Sequence, residues 1–180
     1  MESIDSAALI FGYGSLISAK SLKATVPTAK ELRPAYIKGF RRDFSLLDTE
    51  GWVSSNLDVA GVPFCSVDVH KIEDSKAHVN GVIFKVGEEE LPALLEREKD
   101  YALISTAAYD FRTDELLGEC AVFSAGKHNG KYDFDSAAQK RYLEVCLEAA
   151  EEYGVAFREE FLRSTYIGDQ PIGELLSVLI

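Results

Sequence analysis

Two stretches of this chain carry residues whose types and spacing could do chemistry. The first is Leu9-Ile10-Phe11-Gly12-Tyr13-Gly14-Ser15-Leu16-Ile17. An apolar run enters a Gly-Tyr-Gly-Ser turn and becomes apolar again. The glycines permit backbone angles that other residues resist and remove side chains that would hold a ligand off the main chain. Such a turn at a strand end can aim several N–H groups at one anion. The competing reading is a tight turn between two buried segments.

The second stretch is Leu91, Leu94, Leu95 and Glu98. On a helix these fall at i, i+3, i+4 and i+7, one stripe. Three leucines are expected inward, and the stripe carries Glu98 with them. Glu96, Arg97, Lys99 and Asp100 fall on the other side and are expected to face water. A carboxylate drawn inward loses solvation, which raises its pKa and makes it a better base once ionised. The alternatives are a helix that has run out before Glu98, leaving it in solvent, and a structural ion pair with an interior arginine.

The elements that must position these residues are mostly strands at first. Ala8–Tyr13, Arg33–Phe40 with Phe44–Leu47, Val62–Val69, Gly81–Val86 and Glu119–Ser124 read as extended. Asp114–Glu119 reads as a link feeding the last of these, with Tyr109–Arg112 beside it. Glu88–Tyr101 reads as a helix with acidic residues at its N-terminus. Ser136–Tyr153 is a longer helix with Leu143, Cys146, Leu147 and Ala150 on one face, stopped by Gly154. Phe157–Leu162 is a shorter one. No repeat or Pro/Gly-rich linker divides the chain, so one domain over 1–180 is expected. Strands followed by helices predict an α+β fold: a small curved or closed mixed β-sheet (barrel) with helices packed outside.

Composition narrows the function. The 180 residues are 47% hydrophobic and 27% charged, as in a globular protein large enough to bury a core. The net charge of -11 disfavours nucleic acid and anionic membrane surfaces as partners. No apolar run is long enough to span a bilayer, and Met1–Asp5 lacks a basic start, so a cytoplasmic location is expected. Cys65, Cys120 and Cys146 are odd in number and widely spaced, predicting reduced thiols rather than disulfides or a zinc ribbon. His70, His78 and His128 show no ligand pair, so no metal and no cofactor are expected. The loop at Gly12–Ser15 lacks G-x-x-x-x-G-K-[ST] and the longer G-x-G-x-x-G, which argues against a nucleotide site.

At these residues the chain resembles a known family. Phe11-Gly12-Tyr13-Gly14-Ser15-Leu16 is similar to the signature of the gamma-glutamylcyclotransferase superfamily, ChaC-like or AIG2-like, with the ChaC branch often reading F-G-Y-G-S-L. Gly39–Phe44 is similar to its G-Y-x-R-x-F segment, and Gly81–Val86 to its G-V-x-Y-x-V strand. Leu94–Glu98 is similar to the L-x-x-R-E segment that carries the catalytic glutamate. Ser136–Tyr166, with Tyr142-Leu143, Gly154, Phe157, Phe161-Leu162 and Thr165-Tyr166, resembles the ChaC C-terminal region.

The chain departs from the pattern twice. Lys99-Asp100-Tyr101-Ala102-Leu103 stands where ChaC-type enzymes have Gly-Gly-Tyr, and Glu50–Asn56 replaces an Arg-Gly stretch.

The resemblance implies an enzyme, a lyase or cyclising acyltransferase, that releases 5-oxoproline from a gamma-glutamyl small molecule, as a monomer or homodimer. Glutathione, a gamma-glutamyl amino acid and a gamma-glutamyl amine all remain open, as does a silent binding module. It implies Glu98 as catalytic acid/base and Tyr13, Gly14, Ser15, Leu16 and Tyr101 as substrate-binding residues. Arg41 and Arg42 are candidate cations for substrate carboxylates, one of them more plausibly a solvated strand edge. Tyr166 is a candidate for closing the site. No nucleophile is required, because the substrate's own amine attacks.

Overall fold

The computed structural model describes residues 8–29, 32–49, 61–99 and 101–180. Five strands close a barrel in the order β1 (Ala8–Gly12), β5 (His78–Val86), β2 (Arg33–Lys38), β6 (Ala102–Asp110) and β7 (Leu116–Ser124). A second, four-stranded sheet runs β4 (Phe64–Lys71), β3 (Phe40–Asp48), β8 (Thr165–Ile167), β9 (Gln170–Pro171). The expected α+β fold with a small closed sheet is what forms.

Register explains where a site can be. β1 pairs antiparallel with β5 and parallel with β7, with Phe11 opposite Val122. The C-terminal ends of β1 and β7 therefore lie at the same end of the barrel. β6 is antiparallel to β7, with Ala102 opposite Ser124, so it starts at that end too. The Gly12-Tyr13-Gly14-Ser15 turn, the residues preceding β6 and the loop leaving β7 are thereby brought together.

The second sheet supplies a wall. β3 and β4 pair antiparallel with a register shift between Phe44 and Leu46, a bulge at Ser45. Bulges bend a strand and re-aim the side chains beyond them. Beyond this one, Leu46 faces Ser66 and Leu47 faces Cys65.

Among the described residues the α-helices are α1 (Ala19–Lys23), α2 (Leu91–Arg97), α3 (Ala137–Glu151), α4 (Val155–Ser164) and α5 (Leu176–Leu179). α3 begins as its sequence suggests, with the Ser136 side chain accepting from the N–H of Gln139 at 3.2 Å. Its Leu143, Cys146, Leu147 and Ala150 are buried in the core with Phe11, Phe84, Phe157 and Phe161.

The expected Glu88–Tyr101 helix is corrected to Leu91–Arg97. A helix begun at Glu88 would need an N–H from Pro92 in its interior, which proline lacks; starting at Leu91 puts Pro92 in the first turn, where none is needed. Glu90 does not cap the helix with its side chain; its carboxylate accepts from the Thr28 N–H at 3.0 Å.

Two further extended readings are corrected. β6 covers Ala102–Asp110, where sequence showed only Tyr109–Arg112 as a partner, and β7 already begins at Leu116 within the expected link. The residues of β6 (Ala-Leu-Ile-Ser-Thr-Ala-Ala-Tyr-Asp) are mostly small or polar, so little alternation betrays a strand that its hairpin partner holds. The three cysteines are free and buried, and Met1–Asp5 and Glu50–Asn56 lie outside the described residues. Among the described residues, no helix is long and apolar enough to cross a membrane, and no cluster of side chains is placed to hold a metal ion.

Candidate active site

A cavity of about 370 Å³ opens at the barrel end just described. Tyr13, Gly14, Ser15, Leu16, Glu98 and Tyr101 all line it, so all six residues singled out from sequence come together.

The loop is shaped by space rather than by left-handed backbone. Neither Gly12 nor Gly14 has a positive φ. A Cβ on Gly12 would lie 2.7 Å from Leu16 Cβ, and one on Gly14 would lie 2.7 Å from Val67 Cγ2 and 3.2 Å from the Tyr142 hydroxyl. The expectation that glycine is needed for unusual angles is thus replaced by a need for close approach. After Gly14, Ser15–Ile17 form one turn of 3-10 helix in which Ile17 N–H bonds Gly14 O at 3.0 Å and Ser18 N–H bonds Ser15 O at 3.1 Å. The N–H groups of Ser15 and Leu16 precede the first such bond, so the turn has no carbonyl for them.

Tyr13 is buried. Its hydroxyl donates to the Phe123 carbonyl and stands 3.3 Å from Asp68 Oδ1. Burial pushes the phenol well above its ordinary value. Asp68 is fully buried; its two oxygens accept from Ala125 N–H at 3.0 Å and Gly126 N–H at 2.9 Å. Desolvation raises its carboxyl despite these donors. Further along the same loop, Asn129 Oδ1 accepts from Leu47 N–H at 3.1 Å and Gly130 N–H bonds Ser45 O at 2.9 Å. The loop after β7 is therefore fastened at both ends, with Lys127 between them on the cavity wall.

Glu98 ends α2: it is the C-cap residue, at φ -103° and ψ 26°. The expectation that the stripe carries it inward is right about Glu98 and wrong about part of the stripe. Leu94 is fully buried, but Leu95 is 40% exposed. Glu98 nevertheless has a side chain only 11% exposed. The non-helical backbone at the cap turns it into the cavity. Burial raises its pKa, Arg97 opposes that, and Asp48 reinforces it. Tyr101 N–H bonds Glu98 O at 2.9 Å, closing a turn that sets its ring beside the carboxylate. Burial and the neighbouring Glu98 charge push the Tyr101 phenol up.

Three arginines are corrected. Arg97, expected in solvent, has a side chain 1% exposed, and its Nε lies 3.2 Å from Glu98 Oε1. The break in helical geometry at Glu98 lets adjacent side chains converge. Arg42 is fully buried and is not among the residues lining this cavity; it donates to Tyr13 O, Asn80 and Thr165 Oγ1. Burial lowers it to about 9, so it remains charged at neutral pH. Arg41 bonds the Gly168 carbonyl and approaches Asp43 at 3.5 Å, away from the cavity. Tyr166 does not close the site either: it sits in β8 beside Asp43, with the Arg41 guanidinium 4.3 Å from its ring.

Sequence reasoning missed Asp68, Arg97, Lys127 and Asp48 as site residues. Asp68 had a signal: a lone carboxylate between Val67 and Val69 in the Phe64–Lys71 strand. Asp48 and Lys127 had none beyond turn residues nearby, because loops acquire partners only in three dimensions.

Among solved structures, a gamma-glutamyl cyclotransferase superposes with a TM-score of 0.65 at 17% identity, covering 97% of this chain and 98% of that one. A yeast gamma-glutamyl cyclotransferase specific to glutathione gives 0.66 at 14% identity, covering 97% and 96%. An uncharacterized human protein, loc79017, gives 0.61 at 16%, covering 96% and 98%. These identities speak for a shared fold. No curated protein matches the chain by sequence. The ChaC-like protein family matches residues 8–154, through the turn, the glutamate and all five barrel strands, and the chain belongs to that ChaC-like family.

Proposed function

We propose that this protein is a gamma-glutamylcyclotransferase that releases 5-oxoproline from a gamma-glutamyl peptide or amino acid. The observation that carries the reading is Glu98: a carboxylate 11% exposed, with a raised pKa, in the same cavity as the Tyr13–Leu16 loop. A fold gains nothing from desolvating an acid there.

The reaction is internal to the substrate. The α-amine nitrogen attacks the γ-carbonyl carbon, a lactam C–N bond forms and the γ-amide C–N bond breaks. The products are 5-oxoproline and the free amine, with no water consumed. The α-ammonium must first lose a proton, which Glu98 accepts and then delivers to the leaving nitrogen, serving as base and then acid. Holding the glutamyl chain folded, amine against carbonyl, is worth roughly 7–11 kcal/mol in favourable intramolecular systems. The loop N–H groups and the Ser15 hydroxyl are the grip on the α-carboxylate or the carbonyl oxygen. A donor facing the oxygen where charge develops contributes about 2.7–4 kcal/mol. Tyr101 packs against the folded chain.

Lys127 favours a substrate whose leaving half carries a carboxylate, a gamma-glutamyl amino acid or peptide, over a gamma-glutamyl amine. Its loop is pinned by Asp68 and Asn129, which keeps the Lys127 main chain at the cavity wall.

The test is a panel of glutathione, several gamma-glutamyl amino acids and gamma-glutamyl-lysine, with 5-oxoproline as readout. Release from at least one is expected. Release from none, with the protein folded, overturns the reading and leaves a binding module.

A further inference from the structure

Arg97 makes more contacts than a helix-end arginine needs. Nη1 donates to Ser21 O at 3.0 Å and Thr25 Oγ1 at 3.3 Å, and Nη2 donates to Ser21 Oγ at 2.9 Å and Ser15 Oγ at 3.3 Å. Nε faces Glu98 Oε1 at 3.2 Å, and the side chain is 1% exposed. Pinning α1 and the residues after it accounts for Ser21 and Thr25. It does not account for the other two contacts, which go to the serine of the glycine-flanked loop and to the buried acid.

We propose that Arg97 is a positioning residue, whose single planar guanidinium sets the Glu98 carboxylate and the Ser15 hydroxyl on one rigid frame and so fixes the base relative to the loop that grips substrate. The inference rests on the reading of Glu98 as acid/base given above. The geometry suits arginine and not lysine. The two terminal nitrogens of the fork donate to Ser21, Thr25 and Ser15 while Nε holds the charge 3.2 Å from Glu98 Oε1, whereas one ammonium reaches only some of these groups.

Charge gives a second, separable consequence. Among the described residues, the charges that shift Glu98 are Arg97 from its own element and Asp48 from β3; the Tyr101 and Tyr13 phenols, neutral at pH 7, pack nearby, and Lys99 and Lys127 also stand on the cavity wall. Burial and Asp48 hold the carboxylate toward its protonated form, and Arg97 is the cation that opposes them. Without that cation Glu98 is ionised only at higher pH. A base must be ionised to accept the substrate proton, so the acidic limb of the rate profile moves up.

The experiment measures kcat and KM against pH for wild type, Arg97→Lys and Arg97→Gln, with the best gamma-glutamyl substrate and 5-oxoproline as readout, beside the melting temperature of each. Arg97→Lys is expected to lose about 10²-fold in kcat, the cost of a misplaced group, with its acidic limb where wild type has it. Arg97→Gln is expected to lose at least as much and to show the limb displaced to higher pH. A merely structural arginine would lower activity only with the folded fraction and leave the limb in place; that result overturns the inference. If Arg97→Gln does not fold, Ser21→Ala replaces it, removing one anchor of the fork, the Nη2 bond to Ser21 Oγ, and no charge: a drop in kcat with an unmoved limb supports the frame, and an unchanged kcat overturns it. Glu98→Gln runs alongside. If that variant keeps wild-type turnover, the acid/base reading falls and takes this inference with it; if it is inactive while Arg97→Gln keeps the wild-type limb, only the role of Arg97 falls.

Discussion

The main-chain carbonyl of Tyr13 accepts a hydrogen bond from Nη1 of Arg42 at 3.0 Å, beneath the loop that lines the cavity. The same guanidinium donates to Asn80 O at 2.6 Å, Asn80 Oδ1 at 2.8 Å, Ser164 Oγ at 2.9 Å and Thr165 Oγ1 at 2.7 Å. A full charge is thus buried among neutral acceptors, and it joins the site loop to both sheets and to α4.

Arg42→Met should therefore destabilise the protein by about 3–5 kcal/mol, because a cluster of buried acceptors loses its donor at once. Urea unfolding measures it, as a lower midpoint with an unchanged slope.

Glu98→Gln should lower kcat by about 10²–10⁴-fold, the usual contribution of a positioned acid/base, while circular dichroism stays that of wild type. In wild type the acidic limb of kcat should lie above the ordinary glutamate value of about 4.3, since burial raises this carboxyl and the ionised form is the active one.

Gly14→Ala should cost about 1–3 kcal/mol through overpacking, because the added methyl would lie 2.7 Å from Val67 Cγ2. The relief is movement of the loop away from β4, so kcat/KM should fall further than the melting temperature alone explains. Thermal unfolding and steady-state kinetics on one preparation separate the two.

Lys127→Gln should raise KM about tenfold, roughly 1.4 kcal/mol, for gamma-glutamyl-alanine and leave gamma-glutamyl-ethylamide nearly unchanged. Equal effects on the two substrates would remove Lys127 from recognition of the leaving half.

His78 Nε2 lies 2.9 Å from Glu160 Oε1, and Arg163 Nη2 lies 2.7 Å from the same oxygen. The hydrogen bond to Glu160 raises the His78 pKa. Burial works to raise Glu160, but His78 and Arg163 outweigh it and the net shift is down. A raised histidine contributes stability that is complete below its unfolded value and lost as pH rises through the folded one. A lowered carboxylate contributes stability present above its unfolded value and lost as pH falls through the folded one. The pair is therefore complete between about pH 4.3 and 6.5. The melting-temperature difference between wild type and His78→Gln should be largest in that window and shrink on the alkaline side.

How much of this was legible beforehand depends on range. The turn at Gly12–Ser15, the strands β1 and β5 and the helix α3 were readable because their signals lie within a few residues: small residues at a strand end, β-branched runs, a serine cap and one apolar face. The inward course of Glu98 was legible as a carboxylate on an apolar stripe, yet the stripe itself stops short, with Leu95 exposed and a cap geometry finishing the turn. β6 escaped because small and polar residues have no period; its pairing with β7 makes it a strand.

The sequence by itself determined the α+β class, the two chemistry-bearing segments and the family, since each rests on local composition and order. Only the tertiary structure decided what surrounds the acid. In one dimension Arg97 reads as a solvated cation and Arg42 as a substrate-facing or strand-edge one, because charge favours water or an opposite charge and nothing local says otherwise. Barrel closure carries Ser15, Ser21 and Thr25 to the first, and Tyr13, Asn80 and Thr165 to the second. A buried charge is tolerated where enough acceptors converge on it, and that convergence comes from residues distant in the chain.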